Sequence, residues 1–373
     1  MNSLKPMLLT SLKSYDRTQF VKDVTAGIIV AIIALPLSIA LALASGVGPE
    51  AGIFTAIVAG FVISALGGSS VQIAGPTAAF ATIVAGIVAK DGLDGLVIST
   101  ILAGIFLILM GLCHFGSLIK FIPYTITTGF TSGIAVTIVI GQLKDFFGVT
   151  YPDGVKPIET TEKFKAFIEN ISTMNTAALI VGIVSLAILI ISPVIFKKIP
   201  GSLIAVIVGI LMVKFLPLKV STIGNLYTIS NSLPAFHLPA VNLHIIENAL
   251  PNAFTIAVLA AIESLLSCVV ADGMINGKHR SDMELVAQGA GNIASALFGG
   301  IPATGAIART AANIKNGGCR NGALHHTGHR TRRTDAIRRN DPNADHRSNP
   351  VYRSIQYVPV AYIRTLNPHC TEK

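Results

Sequence analysis

From residue 23 to residue 298 the chain alternates apolar runs near 20 residues with short polar turns. Runs of that length match the hydrocarbon thickness of a bilayer. Asp23–Ser45 reads as the first span, with Pro36 inside it and a kink expected there. Ala51–Leu66 is the second. An interrupted stretch, Gly67–Val84, follows, and its helix is expected to run to about Ala89. Leu93–Leu112 and Ile119–Leu143 supply the next two spans. The polar stretch Gly148–Asn175 is expected outside the membrane, helical around Thr161–Asn170. Asn175–Phe196 and Gly201–Leu216 come next, separated by Lys197-Lys198-Ile199-Pro200, and a second polar loop covers Leu218–Asn248. Ala249–Ala271 is the span carrying Glu263. Asp282–Phe298 then leads into a second interrupted stretch, Phe298–Ile314.

The two interruptions organise the rest. In the second, Pro302 lacks an N–H and ends any helix arriving from Gly289–Phe298. Thr304 is a fair N-cap for the Ala-Ile-Ala-Arg-Thr-Ala-Ala run that restarts it. In the first, Ser69–Ala74 is expected to be extended, with Gly75-Pro76 opening a helix that has Pro in its first turn. A helix that starts at membrane depth presents unpaired N–H groups and a positive dipole end. Lipid satisfies neither, so they must face protein or a polar cavity, and an anion is the natural occupant. Paired Gly/Pro-broken segments point to a transporter's binding site. The competing reading is two ordinary interhelical loops.

Basic residues set the orientation. Lys5, Lys13, Arg17 and Lys22 place the N-terminus in the cytoplasm. Lys120, Lys197/Lys198 and Lys278/Arg280 fall on the same side when each interruption counts as one crossing. The first broken helix then runs outward and the second inward, as inverted repeats require.

Composition agrees with this picture. Of 373 residues 51% are hydrophobic and 13% charged, against about 25% charged in soluble domains, so a polytopic membrane protein is expected. Met1–Lys22 lacks the apolar core of a cleavable signal, and the first helix is expected to act as its own insertion signal. The four scattered cysteines show neither metal-ligand spacing nor a disulfide framework. The spans hold no Ser/His, paired-Asp or metal-binding His motif, so no enzymatic activity and no cofactor are expected beyond a coupling ion.

Glu263 is the one carboxylate well inside an expected span. Burying it ionised in hydrocarbon costs at least ~2.5 kcal/mol, so it should face a cavity, bind a cation or carry a proton. Ser267, four residues on, shares its helix face, a pairing that suits a proton or sodium. The bland alternative is a glutamate hydrogen-bonded between helices. Arg309, one turn into the second half-helix, would hold an anion, pair with Glu263 in an empty site, or snorkel to the interface.

These residues carry a family resemblance. Pro36…Gly46-Val47-Gly48-Pro49-Glu50-Ala51-Gly52-Ile53-Phe54-Thr55-Ala56…Gly67-Gly68-Ser69-Ser70 resembles the signature of the SulP (SLC26-type, sulfate permease-like) anion transporters. Gln72–Phe80 resembles their first half-helix; Ala261–Ser267 and Gly299–Arg309 resemble their later site segments. The likeness covers roughly Ser14–Gly318. It implies an all-α polytopic membrane protein with a seven-plus-seven inverted-repeat fold of core and gate, incomplete here at about ten membrane segments with two half-helices. It also implies transport of a small anion (sulfate, bicarbonate or a dicarboxylate) by alternating access, coupled to H+ or Na+ or by exchange. By that resemblance Thr77, Ala78, Ala79 and Phe80 with Thr304, Gly305 and Ala306 contact the anion, beside Arg309, and Glu263 with Ser267 handles the coupling cation. The expected partners are the small anion, the lipid bilayer of the cell (plasma or inner) membrane and a second copy of the chain, with no nucleic acid.

The domain reading is a cytoplasmic segment 1–22, a partial transporter domain 23–318 and a basic tail 319–373. Residues 1–318 hold three arginines against fifteen lysines; the tail holds nine arginines, one lysine and five histidines. The abrupt switch, together with the loss of the family pattern, is the expectation of a frame change near Gly318. A functional basic arm is the alternative reading of the tail. For the chain as a whole, the alternatives to coupled transport are an inactive truncated fragment and an anion channel or exchanger.

Overall fold

A computed structural model of the chain describes residues 4–117, 124–152, 154–155, 157–195, 201–216, 218, 220, 222, 234–239 and 243–318. The expected tail 319–373, the Lys197–Pro200 turn and most of the second polar loop lie outside the described residues. The chain divides into two compact units: residues 1–183 with 210–320, which contain the candidate site, and a second that includes residues 184–209, with most of α7 and α8.

A short helix α1 (Met7–Ser11) precedes α2 (Arg17–Ala44), whose start is capped by Asp16 Oδ1 accepting from Gln19 N at 2.7 Å. Pro36 lies inside α2. The next helix, α3 (Pro49–Leu66), opens with Pro at its first position, where no intrahelical donor is lost. A 3-10 turn, Ala78–Phe80, runs into α4 (Ala81–Leu112). Gly92 (φ 70, ψ −169) breaks α4 in a conformation that L side chains rarely adopt. The first half-helix therefore ends there, and a separate span begins at Leu93, as expected from the sequence.

α5 (Tyr124–Phe147), α6 (Thr160–Glu169), α7 (Thr176–Ile195) and α8 (Gly201–Phe215) follow the expected order. α6 is set by a capping box: Glu162 Oε2 accepts from Ile158 N and Glu159 N at 3.0 and 3.2 Å. The Glu263 helix, α9, spans Leu243–Ile275 and takes in Pro251, so it begins inside what reads as a polar loop. It is followed by α10 (Ser281–Leu297) and α11 (Ile307–Lys315).

α2, α3, α4 and α9 are long and apolar enough to cross a membrane; α7 and α8 contribute shorter apolar stretches. The core is the interior of the α2, α4, α9 and α10 packing, with Val84, Ile87, Leu96, Leu107, Ile256, Leu265 and Leu285 at its centre. Large apolar side chains such as Ile28, Phe61, Leu109 and Phe254 point outward, as in a protein whose solvent there is lipid.

Two helix starts differ from the sequence expectation. α11 is capped by Ala306 rather than Thr304, with no side-chain cap. Thr304 is instead drawn into a strand pair, its hydroxyl committed elsewhere. Likewise Pro76 stays ahead of the first helical turn, and Thr77 (φ −128, ψ 158) is its cap residue.

Candidate functional site

Two short strands, β1 (Ala74–Gly75) and β2 (Thr304–Gly305), pair antiparallel with Ala74 opposite Gly305 and Gly75 opposite Thr304. Antiparallel pairing sends the chains that follow in opposite directions. The half-helix beginning at Ala78 and α11 therefore diverge from one crossing, with their amino ends nearest each other. Neither start carries a side-chain cap, which leaves its first N–H groups for another acceptor.

Extended backbone inside the apolar slab needs partners. Along the first segment, Asn313 Nδ2 donates to Val71 O (2.9 Å), Thr310 Oγ1 accepts from Ile73 N (3.1 Å) and Ala306 N donates to Ile73 O (2.9 Å). Arg309 Nη2 donates to Pro76 O at 2.9 Å. Residues 306, 309/310 and 313 lie on one face of α11, so the helix lies along the first strand segment.

The second segment is held by α3, α9 and α10. Asn292 donates to Ala303 O and accepts from Ala303 N, both at 2.8 Å. Thr55 Oγ1 accepts from Ile301 N (2.7 Å), and Ser295 Oγ donates to Ile301 O (2.8 Å). Ser264 Oγ accepts from Gly305 N at 3.1 Å and lies 2.6 Å from Thr304 Oγ1. Thr304 Oγ1 also lies within hydrogen-bond distance of Ala260 O, at 3.3 Å. Gln72 bridges strand and helix, its Nε2 donating to Ser264 O while Cys268 Sγ donates to its Oε1. A Cβ at Gly305 would collide with that Gln72 amide.

The ionisable groups sit at the rim of this lattice. Thr77 Oγ1 donates to Glu263 Oε2 at 2.9 Å. Arg309 is only 3% exposed, yet its Nε and Nη1 have no hydrogen-bond partner. The ion pairs among the described residues are His114–Asp282, Lys165–Glu169 and His279–Asp272, so Arg309 and Glu263 are not joined. Two orphaned, buried guanidinium nitrogens, with three N–H groups between them, are costly unless an anion meets them. Ser267, one turn beyond Glu263, is fully buried and its hydroxyl also lacks a partner.

The sequence-expected site residues gather around the crossing with different exposures. Thr77, Ala78 and Ala79 are half-buried and the Phe80 side chain belongs to the core. Thr304, Gly305 and Ala306 are buried, with the Thr304 hydroxyl and the Gly305 and Ala306 N–H groups already bonded within the protein.

Sequence reasoning missed the clamp residues. Glu284 is fully buried and its Oε2 accepts from Gly68 N and Ser69 N (2.9 and 3.2 Å), while Oε1 accepts from Gln288 Nε2 (2.9 Å). At the start of an expected span it reads as an interfacial charge. Gln288 and Asn292, amides one turn apart within a span, were the available signal, because such groups in a membrane helix must bond to a neighbouring element.

The sulfate permease family pattern matches residues 20–321, the whole of this assembly. The chain belongs to the sulfate permease family. It is 43% identical over 311 residues to the putative sulfate transporter YvdB of Bacillus subtilis, covering 82% of this chain and 58% of that protein. It is 34% identical over 307 residues to the bicarbonate transporter BicA of Picosynechococcus, covering 79% and 54%. The chain thus spans little more than half the length of these relatives. The solved transmembrane domain of a cyanobacterial BicA superposes with a TM-score of 0.71 at 32% identity, over 82% of this chain and 78% of that one. The fold is that of an all-α multi-pass membrane protein of this transporter family.

Proposed function

We propose that residues 23–318 form the ion-binding region of a secondary active transporter for a small anion (sulfate, bicarbonate or a dicarboxylate) in the cell membrane, with the N-terminus cytoplasmic. The anion lies against the half-helix starting at Thr77, Ala78 and Ala79, with Phe80 walling the site from beneath. Thr304, Gly305 and Ala306 hold the opposite start in place, and Arg309 supplies the charge. Glu263 and Ser267 take the coupling proton or sodium ion. The names of the relatives, a sulfate transporter and a bicarbonate transporter, favour an inorganic oxyanion.

The observation that carries this reading is the buried Arg309, whose two unpartnered nitrogens, Nε and Nη1, sit where two uncapped half-helices begin. Charge neutralisation there and at Glu263, 2.9 Å from Thr77, would couple the two ions electrostatically, since each raises the affinity for the other in a low-dielectric site.

Ligand-induced stabilisation tests it. The purified chain is melted with sulfate, bicarbonate or succinate, each with and without sodium and across pH. An anion at 100 times its Kd raises the unfolding free energy by about 2.7 kcal/mol. Wild type should be stabilised by at least one anion, and the effect should vanish in Arg309→Gln. Glu263→Gln should keep anion binding but lose its dependence on sodium or pH. No stabilisation by any of the three anions, or stabilisation unchanged in Arg309→Gln, contradicts the proposal.

A further inference from the structure

The polar end of the molecule carries a feature that ion binding does not use. α1 is clamped rather than free. Arg280, at the α9–α10 turn, donates Nη1 to Lys5 O (2.7 Å) and Pro6 O (3.3 Å) and Nη2 to Thr10 Oγ1 (3.0 Å). Met7 N donates to Gly67 O at 2.9 Å, just after α3. Arg280 N in turn donates to Gly68 O, beside the peptides that Glu284 holds.

The side of α1 away from this clamp is apolar and open. Leu8 and Leu12, one turn apart, are 44% and 56% exposed, with Leu9 at 50% and Leu4 at 36%. Further along the chain α2 also exposes Phe20, Val21, Val24, Ile28 and Ile32. The 28 residues of α2 rise about 42 Å, longer than a hydrocarbon core of roughly 30 Å, and its polar start, with Arg17, Gln19, Lys22 and Asp23, is the end suited to headgroup level. Lys5, Lys13, Arg17 and Lys22, which flank or follow these leucines in sequence, are all exposed. Of the nearby acids, Asp16 caps α2, and Asp23 accepts from Tyr15 and Gln19.

We infer that α1 is an interfacial helix that binds an anionic lipid surface. Its leucine edge sits in the headgroup–acyl boundary, and Lys5 and Lys13 on either side of it hold lipid phosphates. The occupant is lipid rather than a protein because the exposed leucines lead along the chain into a membrane-crossing helix and are flanked in sequence by exposed basic residues, the pattern of a surface segment. The Arg280 clamp makes the lipid contact bear on Gly67–Ser69, the turn that leads into the first strand segment.

The chain contains no tryptophan, so Leu9→Trp provides a unique fluorophore, with Leu12→Trp as a second reporter should the first fail to fold. Each purified protein is placed in nanodiscs of phosphatidylcholine alone, or in an equal mixture with phosphatidylglycerol, with acyl chains brominated near the headgroup. Quenching should be about twofold stronger in the anionic discs. Lys5→Glu/Lys13→Glu should bring it down to the neutral level. Emission that brominated lipid does not quench, as for a helix kept for a protein partner, overturns the inference. So does quenching equal in the two lipids.

Discussion

The two broken segments look alike in sequence, but their hydrogen bonds differ. The second, residues 300–306, is bonded on all sides by Thr55, Ser295, Asn292 and Ser264. Every one of these comes from a continuous helix. The first, residues 71–77, is held chiefly by α11, itself only the restart of the other break. Its last residue spends a hydroxyl on Glu263, and Thr77–Ala79 remain half-exposed. In the proposed site the second segment would therefore be the scaffold and charge holder, and the first the surface that the solute meets.

Breaking the scaffold should cost the most stability. Asn292→Ala strands both the N–H and the C=O of buried Ala303, about 3 kcal/mol for two buried groups left unpaired. A thermal melt in detergent checks it, and a loss below about 1 kcal/mol would mean the segment has other support. Glu284→Ala, which frees the Gly68 and Ser69 N–H groups, should lose about 2 kcal/mol in the same melt; a change within error would show that α10 does not hold that turn.

On the solute-facing side the order reverses. Thr77→Val removes one hydrogen bond, about 1 kcal/mol, yet it should weaken the sodium or proton dependence of anion binding more than any scaffold variant that still folds. Equal ion dependence in Thr77→Val and wild type would erase the distinction between the segments.

The smallest effect lies in α6, outside the helices long and apolar enough to cross a membrane, and is a control. Two backbone N–H groups hold the Glu162 carboxyl below its usual value of 4.5. A depressed folded-state value contributes stability above the unfolded value and loses it as pH falls through the folded one. Below about pH 4.5 wild type should therefore lose a small increment that Glu162→Gln never had, with anion binding unaltered. Parallel acid melts of the two proteins would count against the capping box.

The spans were legible because a 20-residue apolar run is a local property. Both breaks were legible through Pro302, Pro76 and their glycines. Glu263 and Arg309 stood out because charge in such a run is rare. The clamps were not legible. Ser264 reaching Gly305, or Asn313 reaching Val71, joins residues far apart in sequence through single side chains, which leaves no periodic trace. Thr304 shows the limit of local rules: a good N-cap by type, it is drawn into a strand because Ser264 and Ala260 offer its hydroxyl better partners.

The central claim is that a small anion sits between Ala79 and Arg309 at the crossing. Ala79→Cys, in a chain with Cys113, Cys319 and Cys370 replaced by Ser and Cys268 left buried, places one reactive thiol at that spot. Its labelling rate with a small maleimide is measured in sulfate, bicarbonate and succinate. The account predicts that at least one of these anions slows labelling about tenfold, the expectation near 90% occupancy, and that Arg309→Gln removes the protection. Labelling indifferent to all three, or protection that survives Arg309→Gln, would contradict it.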